Sequence, residues 1–299
     1  MRYYVVSDVH GFFDEMMCAL EEQGFFADVE PHRLVVCGDL FDRGMQAREL
    51  QDFIVDLLEK DSVVLVRGNH EDLMMELMND WEYGSYRKYH HRANGTLSTV
   101  LQLTGMQEDD LDQAPETVKE KMLQTPFLQT ILSRMLDYYE TGQYVFVHGW
   151  IPCRCETLAV NRRQYFPIEN WRQAGKNAWN RARWVNGMEA AHDGVRENGK
   201  TIVCGHWHAS FGHAQYEGDG GEFDDHPNFS PYYGDGIIAI DACTAFSHRV
   251  NCIVLEDETE MLGSTETMAA MAESDDIAHH PDKAHTYSNV EDVLAELKK

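Results

Sequence analysis

The chain has 299 residues, 43% of them hydrophobic, and carries 51 acidic against 25 basic residues for a formal charge of −26. That length suffices for one large α/β domain or two small ones, and the acidic field opposes non-specific binding to nucleic acid or to an anionic membrane. No apolar run approaches the roughly 18 residues that a membrane span needs, and the acidity fits a solvated surface.

Tyr3 to Val6 is a β-branched and aromatic run ending at Ser7-Asp8, and it reads as a buried first strand. No secretory signal is expected ahead of it. Asp14 to Gln23 carries Met16, Met17 and Leu20 at helical spacing, with Gly24 as the stop. Leu34 to Cys37 is a second strand ending at Gly38-Asp39. Leu50 to Leu58 sets Phe53, Ile54, Leu57 and Leu58 on one helical face. Val63 to Val66 is a third strand, ending at Arg67-Gly68-Asn69-His70. This alternation predicts a parallel sheet.

Residues 81–138 are helical in pattern, and residues 150–198 hold four of the six Trp. Both are expected to be insertions lining the mouth of a site, with the tryptophans at 171, 179 and 184 packing rather than stacking on substrate. Between and after them, Tyr144 to Val147 delivers His148 and Thr201 to Cys204 delivers His206. Gly212 to Tyr233 reads as a loop. Ile237 to Ile240 and Val250 to Leu255 look like a closing strand pair. A catalytic domain over residues 1–260 is expected, followed by an acidic extension over 261–299. That extension ends in a docked helix, Asn289 to Lys299, which has an Asn cap, acids at its start and lysines at its end.

The seven Cys are an odd number and scattered. Free thiols in a reducing cytoplasm are expected, with Cys153-Arg154-Cys155 as a loop. His90-His91, His192 and His279-His280 show no partner pattern and are expected to be solvated.

Ligands of such sheets bind beyond the carboxyl ends of the strands. Five motifs fall there: Asp8-Val9-His10-Gly11, Gly38-Asp39-Leu40-Phe41-Asp42-Arg43-Gly44, Gly68-Asn69-His70-Glu71, His148-Gly149 and Gly205-His206-Trp207-His208. Taken singly, each is as readily a turn or helix-cap sequence. Together and in this order they point to a two-metal phosphoester hydrolase. Two divalent ions can clamp both the attacking and the leaving oxygen of an in-line displacement. Asp8 and His10 offer an oxygen and a nitrogen from one turn, and Asp39 is the natural bridging carboxylate. Asn69 adds a neutral oxygen, and His148, His206 and His208 complete the nitrogen set. The Arg43 fork can hold two phosphate oxygens. His70, beside Asn69, is the candidate general acid, with Asp42 orienting it and raising its pKa.

On these motifs the chain resembles the calcineurin-like metallophosphoesterase superfamily. Within it, the chain is similar to the phosphoprotein phosphatase group that includes bacterial serine/threonine phosphatases and symmetrical diadenosine tetraphosphatases. The resemblance is dense over residues 3–73 and resumes at 144–149, 202–208 and 237–256. It departs from the family pattern at Ser7, Trp150 and Ser247-His248. It implies an α/β fold, a four-layer α/β/β/α sandwich with helical insertions.

The resemblance also implies a ligand set. Asp8, His10 and Asp39 would hold a first metal, and Asp39, Asn69, His148 and His206 a second. His208 would join the first, as the second His of a Gly-His-x-His form. Arg43, Asn69 and a further arginine, Arg181 or preferably Arg183, would face the phosphate. Manganese is the foremost metal, and the donors also admit iron, zinc, nickel or cobalt.

The implied activity is hydrolysis of phosphoserine or phosphothreonine in proteins, or of a small phosphoester, by a hydroxide bridging the metals. No nucleic-acid or membrane partner is expected. One alternative is a diadenosine tetraphosphatase-like nucleotide pyrophosphohydrolase, which an aromatic clamp in the insertions would favour. A third reading is a non-catalytic interaction module on the same fold.

Overall fold

In the computed structural model, residues 1–159, 162–223, 226–257 and 260–261 are described, and all fall within the compact unit Met1–Ser264. Strands β1 (Arg2–Val6), β2 (His32–Cys37) and β3 (Val63–Val66) pair in parallel, and β11 (Ile253–Glu256) adds antiparallel to β1, giving the order β11-β1-β2-β3. A second sheet runs in the order β12 (Glu260–Met261), β4 (Tyr139–Thr141), β5 (Tyr144–Phe146), β8 (Thr201–Cys204), β10 (Ile237–Ala239), β9 (Tyr232–Gly234), with parallel pairing at β5–β8–β10. A separate antiparallel pair joins β6 (Cys153–Ala159) to β7 (Arg162–Pro167).

The near-continuous apolar strands are explained by burial on both faces. Side chains alternate along a strand. Tyr4, Val6, Leu34, Val36, Val63 and Leu65 face one core, where they meet α1 (Phe13–Glu22), α2 (Ala47–Glu59) and α3 (Asn69–Asn79) through Leu20, Ile54 and Leu77. Tyr3 points the other way, toward the second sheet. Its ring lies 6.0 Å from those of Phe146 and Tyr139, and its hydroxyl is 3.3 Å from that of Tyr139. On the far side of the second sheet, Val145, Ile202 and Ala239 pack against Trp179 of α8 (Lys176–Ala182) and Met188 of α9 (Gly187–His192). Two sheets face to face, with helices outside, make the mixed α/β sandwich. Each such fully buried aliphatic or Phe side chain contributes about 1.5–3 kcal/mol of burial.

The 81–138 stretch forms short helices, chiefly α4 (Tyr89–Ala93), α5 (Thr96–Thr104), α6 (Asp110–Gln113) and α7 (Pro115–Leu123). Leu97, Val100 and Val118 extend the first core. Four expectations need correction. The segments at 237–240 and 250–255 do not pair with each other. They join different sheets, because β10 continues the parallel edge of β8 and β11 covers the open edge of β1. Cys153 and Cys155 sit on strand β6 rather than in a loop, although all seven cysteines are free as expected. His91 is fully buried rather than solvated. Trp184 is exposed, whereas Trp171 and Trp179 pack around Tyr138 at 5.1 and 5.3 Å. Among the described residues, no helix is long and apolar enough to cross a membrane. His279-His280 and the expected helix at Asn289–Lys299 lie outside the described residues.

Candidate metal centre

The carboxyl ends of strands from both sheets converge. Asp8 and His10 follow β1, Asp39 follows β2, Asn69 and His70 open α3 after β3, His148 follows β5 and His206 follows β8. The parallel registers Val6↔Val36 and Val36↔Leu65 bring the first three turns level.

Second partners set the imidazoles. His10 Nδ1 lies 3.0 Å from the Phe41 carbonyl, and His148 Nδ1 lies 2.8 Å from the Cys37 carbonyl. A carbonyl only accepts, so both Nδ1 atoms carry the proton and both Nε2 lone pairs point inward. His10 Nε2 is 3.7 Å from Asp39 Oδ2 and 3.9 Å from Asp8 Oδ1. His148 Nε2 is 3.4 Å from the same Asp39 Oδ2. Asp39, His148 and His206 bring ligand atoms within 4.8 Å of one another. Asp39 is therefore shared between the two groups.

Two further observations test the fit to divalent ions. With its Nδ1 protonated, His148 presents Nε2 to Asn69 Oδ1 at 2.7 Å, acceptor to acceptor; a cation satisfies that arrangement. Burial pushes Asp8 and Asp39 up to about 6 and holds His10 and His206 well below the usual imidazole value. Burial thus holds the His10 and His206 rings neutral, as ligands must be, and on the two carboxylates it outweighs neighbouring positive groups such as His70. Oxygen and imidazole donors of this kind suit first-row divalent metals.

The backbone is bent to make this set. Asp8, His10, Asp39, Asp42, Arg43 and His206 all have φ between 50° and 76°. Each such residue costs on the order of 1–3 kcal/mol and persists only where its surroundings over-determine it. The Asp8 carboxylate accepts from Ser7 Oγ and from the His206 amide at 2.9 Å. Asp39 Oδ1 accepts from the His70 amide at 2.9 Å, one of the unpaired donors at the start of α3. Glu71 accepts from the amides of Gly68, Leu40 and Asp39 at 2.7, 3.0 and 3.1 Å, which ties the β2 and β3 turns together. Gly68 and Gly205 are required by space. A Cβ on Gly68 would stand 2.1 Å from Asp39 Oδ1, and one on Gly205 would stand 2.0 Å from Asp8 Oδ2.

His70 differs from the other imidazoles. Its Nδ1 lies 2.7 Å from Asp42 Oδ2, which turns Nε2 toward the centre, 3.9 Å from Asp39 Oδ2 and 3.3 Å from Arg43 Nη2. Burial opposes its charge, but Asp39 and the Asp42 hydrogen bond outweigh it and push the pKa up to about 9. By distance alone His70 could serve as a ligand with His10 and Asp39. Its hydrogen bond to Asp42 sets it apart from His10 and His148, whose Nδ1 atoms meet backbone carbonyls. Asp42 is held in turn by Thr96 Oγ1 at 2.9 Å and Thr99 Oγ1 at 2.8 Å. Arg43 is exposed.

Two expected residues, His208 and Arg183, are engaged elsewhere. His208 Nδ1 meets Ser210 Oγ at 2.8 Å and its Nε2 meets Glu222 Oε1 at 3.2 Å, so it joins neither group around Asp39. Arg183 is buried and spent on ion pairs, with Asp72 at 2.8 Å and with Asp137, and is not open to a phosphate. Arg181 is exposed on α8. Sequence reasoning assigned no role to Glu71, although an acid three residues into a helix after a strand is a capping signal. No local signal marks Thr96 and Thr99, more than fifty residues from Asp42. Trp184 turns its ring edge-on to His206, with centroids 5.7 Å apart at 83°, while remaining 51% exposed.

A family model described as calcineurin-like phosphoesterase matches residues 1–210. The chain belongs to this family. Calcineurin-like phosphoesterases are binuclear metal enzymes, and the match takes in β1–β3 of the first sheet and β4, β5 and β8 of the second. Similar curated proteins include the asymmetrical bis(5'-nucleosyl)-tetraphosphatases PrpE of two Bacillus species. The Bacillus velezensis protein is 37% identical over 76 residues, covering 23% of this chain and 30% of the relative. The Bacillus subtilis protein is 29% identical over 157 residues, covering 50% of this chain and 58% of the relative. These matches thus span less than two thirds of each relative's length. Among solved structures, a single-residue mutant of a cold-active protein tyrosine phosphatase is 20% identical, with a TM-score of 0.48, over 85% of this chain and 75% of that one.

Proposed function

We propose that this calcineurin-like phosphoesterase hydrolyses the phosphate chain of a nucleotide, of the dinucleoside polyphosphate class. The observation that carries this reading is Trp184, a half-exposed indole in the second insertion, set against His206. Base–aromatic stacking contributes about 1–3 kcal/mol and needs such an exposed face. The names of the Bacillus relatives point the same way. The serine/threonine phosphoprotein reading shares the same core and rests on the motif resemblance. Of the two candidates for a second phosphate-facing arginine, Arg183 is spent on Asp72 and Asp137, which leaves Arg181 for either reading.

In this proposal Asp8, His10 and Asp39 would hold one ion, and Asp39, Asn69, His148 and His206 the other. When bound, the two ions supply charge neutralisation and an activated water. The remaining work falls to the chain itself. Arg43 offers its exposed fork to two phosphoryl oxygens. Arg43 Nη2 and His70 Nε2, 3.3 Å apart, are two donors that a phosphate oxygen between them would satisfy together. Asp42 holds the His70 ring so that Nε2 delivers its proton to the leaving oxygen. Thr96 and Thr99 fix Asp42, and Glu71 fixes the turns that carry Asp39 and Asn69.

The test is side-by-side turnover of a dinucleoside tetraphosphate, a phosphoserine peptide and an aryl phosphate by manganese-loaded enzyme. The dinucleotide should be preferred, and Trp184→Ala should raise its KM about 5–150-fold while leaving the aryl phosphate unchanged. Preference for the phosphopeptide, or an equal effect of Trp184→Ala on all three substrates, would return the phosphoprotein reading to first place.

A further inference from the structure

A second group of metal-competent side chains lies outside the main centre, where the first insertion meets α3. Glu76 comes from α3, and His90 and His91 come from the one-turn helix α4. Their ligand atoms lie within 4.8 Å of one another. Glu76 Oε1 is 3.3 Å from His90 Nε2 and 4.0 Å from His91 Nε2. Consecutive helical residues do not share a face, yet these two rings sit with centroids 3.9 Å apart, both turned toward Glu76.

His91 is the decisive member. It is 0% exposed, and neither ring nitrogen has a hydrogen-bond partner. An imidazole with both nitrogens buried and unpaired is an expensive core residue, and one nitrogen is aimed at a carboxylate too distant for a hydrogen bond. Two donors each about 2.0–2.1 Å from a tetrahedral zinc stand about 3.3–3.4 Å apart. The His90–Glu76 separation of 3.3 Å already has that value, and the His91 separation of 4.0 Å needs a sub-ångström shift.

We propose that Glu76, His90 and His91 form a further metal site, distinct from the Asp39 centre, that takes a divalent transition metal such as zinc with solvent in the fourth position. The ion would pin α4 to α3, the helix that begins with Asn69 and His70. Lys88 is its competitor. The ammonium lies 3.8 Å from Glu76 Oε1 and 3.3 Å from Asp80 Oδ2, so it can withdraw to Asp80 when the ion enters.

The experiment uses the full chain, stripped with chelator and titrated with Zn2+ alone, with bound zinc counted by elemental analysis after gel filtration. Wild type should hold one zinc more than Glu76→Gln or His90→Ala, and in those variants that ion should bind at least about 100-fold more weakly, since even the loss of an outer partner costs 10–100-fold. The side chains of both residues are more than 40% exposed, so neither change opens the core. Asp39→Asn, which disables the main centre, should keep this ion and its zinc-dependent rise in melting temperature. The double variant Asp39→Asn/His90→Ala should lose both. Lys88→Met should tighten the site. Equal zinc counts in wild type, Glu76→Gln and His90→Ala would overturn the proposal. So would a melting temperature of Asp39→Asn that zinc does not raise.

Discussion

Gly68→Ala offers the sharpest test of how the centre is built. The added methyl would lie 2.1 Å from Asp39 Oδ1, 2.5 Å from the Asp39 amide nitrogen and 2.8 Å from Glu71 Oε2. Contacts below 3.0 Å are essentially never tolerated, so the Asp39 carboxylate must retreat from 2.1 to at least 3.0 Å, or the turn must open. The retreating group is the one shared by both ligand sets, and Glu71 ties the Asp39 backbone to Gly68 and Leu40. A misplacement near 1 Å costs about 10²-fold in rate, or about 2.7 kcal/mol of transition-state stabilisation. Gly68→Ala should therefore lower kcat/KM on an aryl phosphate at least about 100-fold and reduce metal bound per chain. Gly175→Ala is the control: nothing lies within 4 Å of its Cβ position, and its φ is −71°. It should change stability by less than about 1 kcal/mol and leave turnover intact. Wild-type turnover and metal content in Gly68→Ala would refute the placement of Asp39 at the heart of the centre.

Asp39→Asn and His70→Gln should part company. The first should lose metal and activity together, whereas the second should keep its metal while kcat falls about 10²–10⁴-fold, more for a serine phosphate than for an aryl phosphate; metal loss in His70→Gln would make His70 a ligand. Arg183→Met should destabilise the fold by about 1–3 kcal/mol, because it removes the ion-pair partner of Asp137 and leaves Asp72 with Arg67 alone, while the folded fraction keeps its KM; a raised KM at unchanged stability would restore Arg183 to the phosphate. Glu140 supplies a pH-dependent term. Burial raises its pKa, but hydrogen bonds from Arg172 and Lys200 outweigh that and hold it below the usual glutamate value. The stabilisation is thus present above a normal glutamate pKa of about 4.3 and is lost as pH falls through the lower folded value. Melting curves of wild type and Glu140→Gln should differ at neutral pH and converge only once the pH has fallen through that lowered folded value; a constant gap would remove Glu140 from that role.

The residues gathered around Asp39 were legible in the chain as candidate ligands because each sits within a few residues of a strand end. Asp8, Asp39, Asn69, His148 and His206 each follow an apolar run, and parallel pairing delivers all such ends to one edge. Strand period and turn chemistry are local, so sequence alone carries them. The tertiary structure decided what depends on partners far along the chain. Segments 237–239 and 253–256 look alike as strands, yet one extends β8 and the other covers β1, because the open edge each fills belongs to a different sheet. Arg181 and Arg183 cannot be told apart by composition; burial against Asp72 and Asp137 separates them. Thr96 and Thr99 reach Asp42, and His91 reaches Glu76, only because the first insertion folds back over α3. Trp184 ends on the surface beside His206 while Trp171 and Trp179 fill the core. Residue type marks each of these as able to bond or pack, but which neighbour it meets is set by how the layers close over one another.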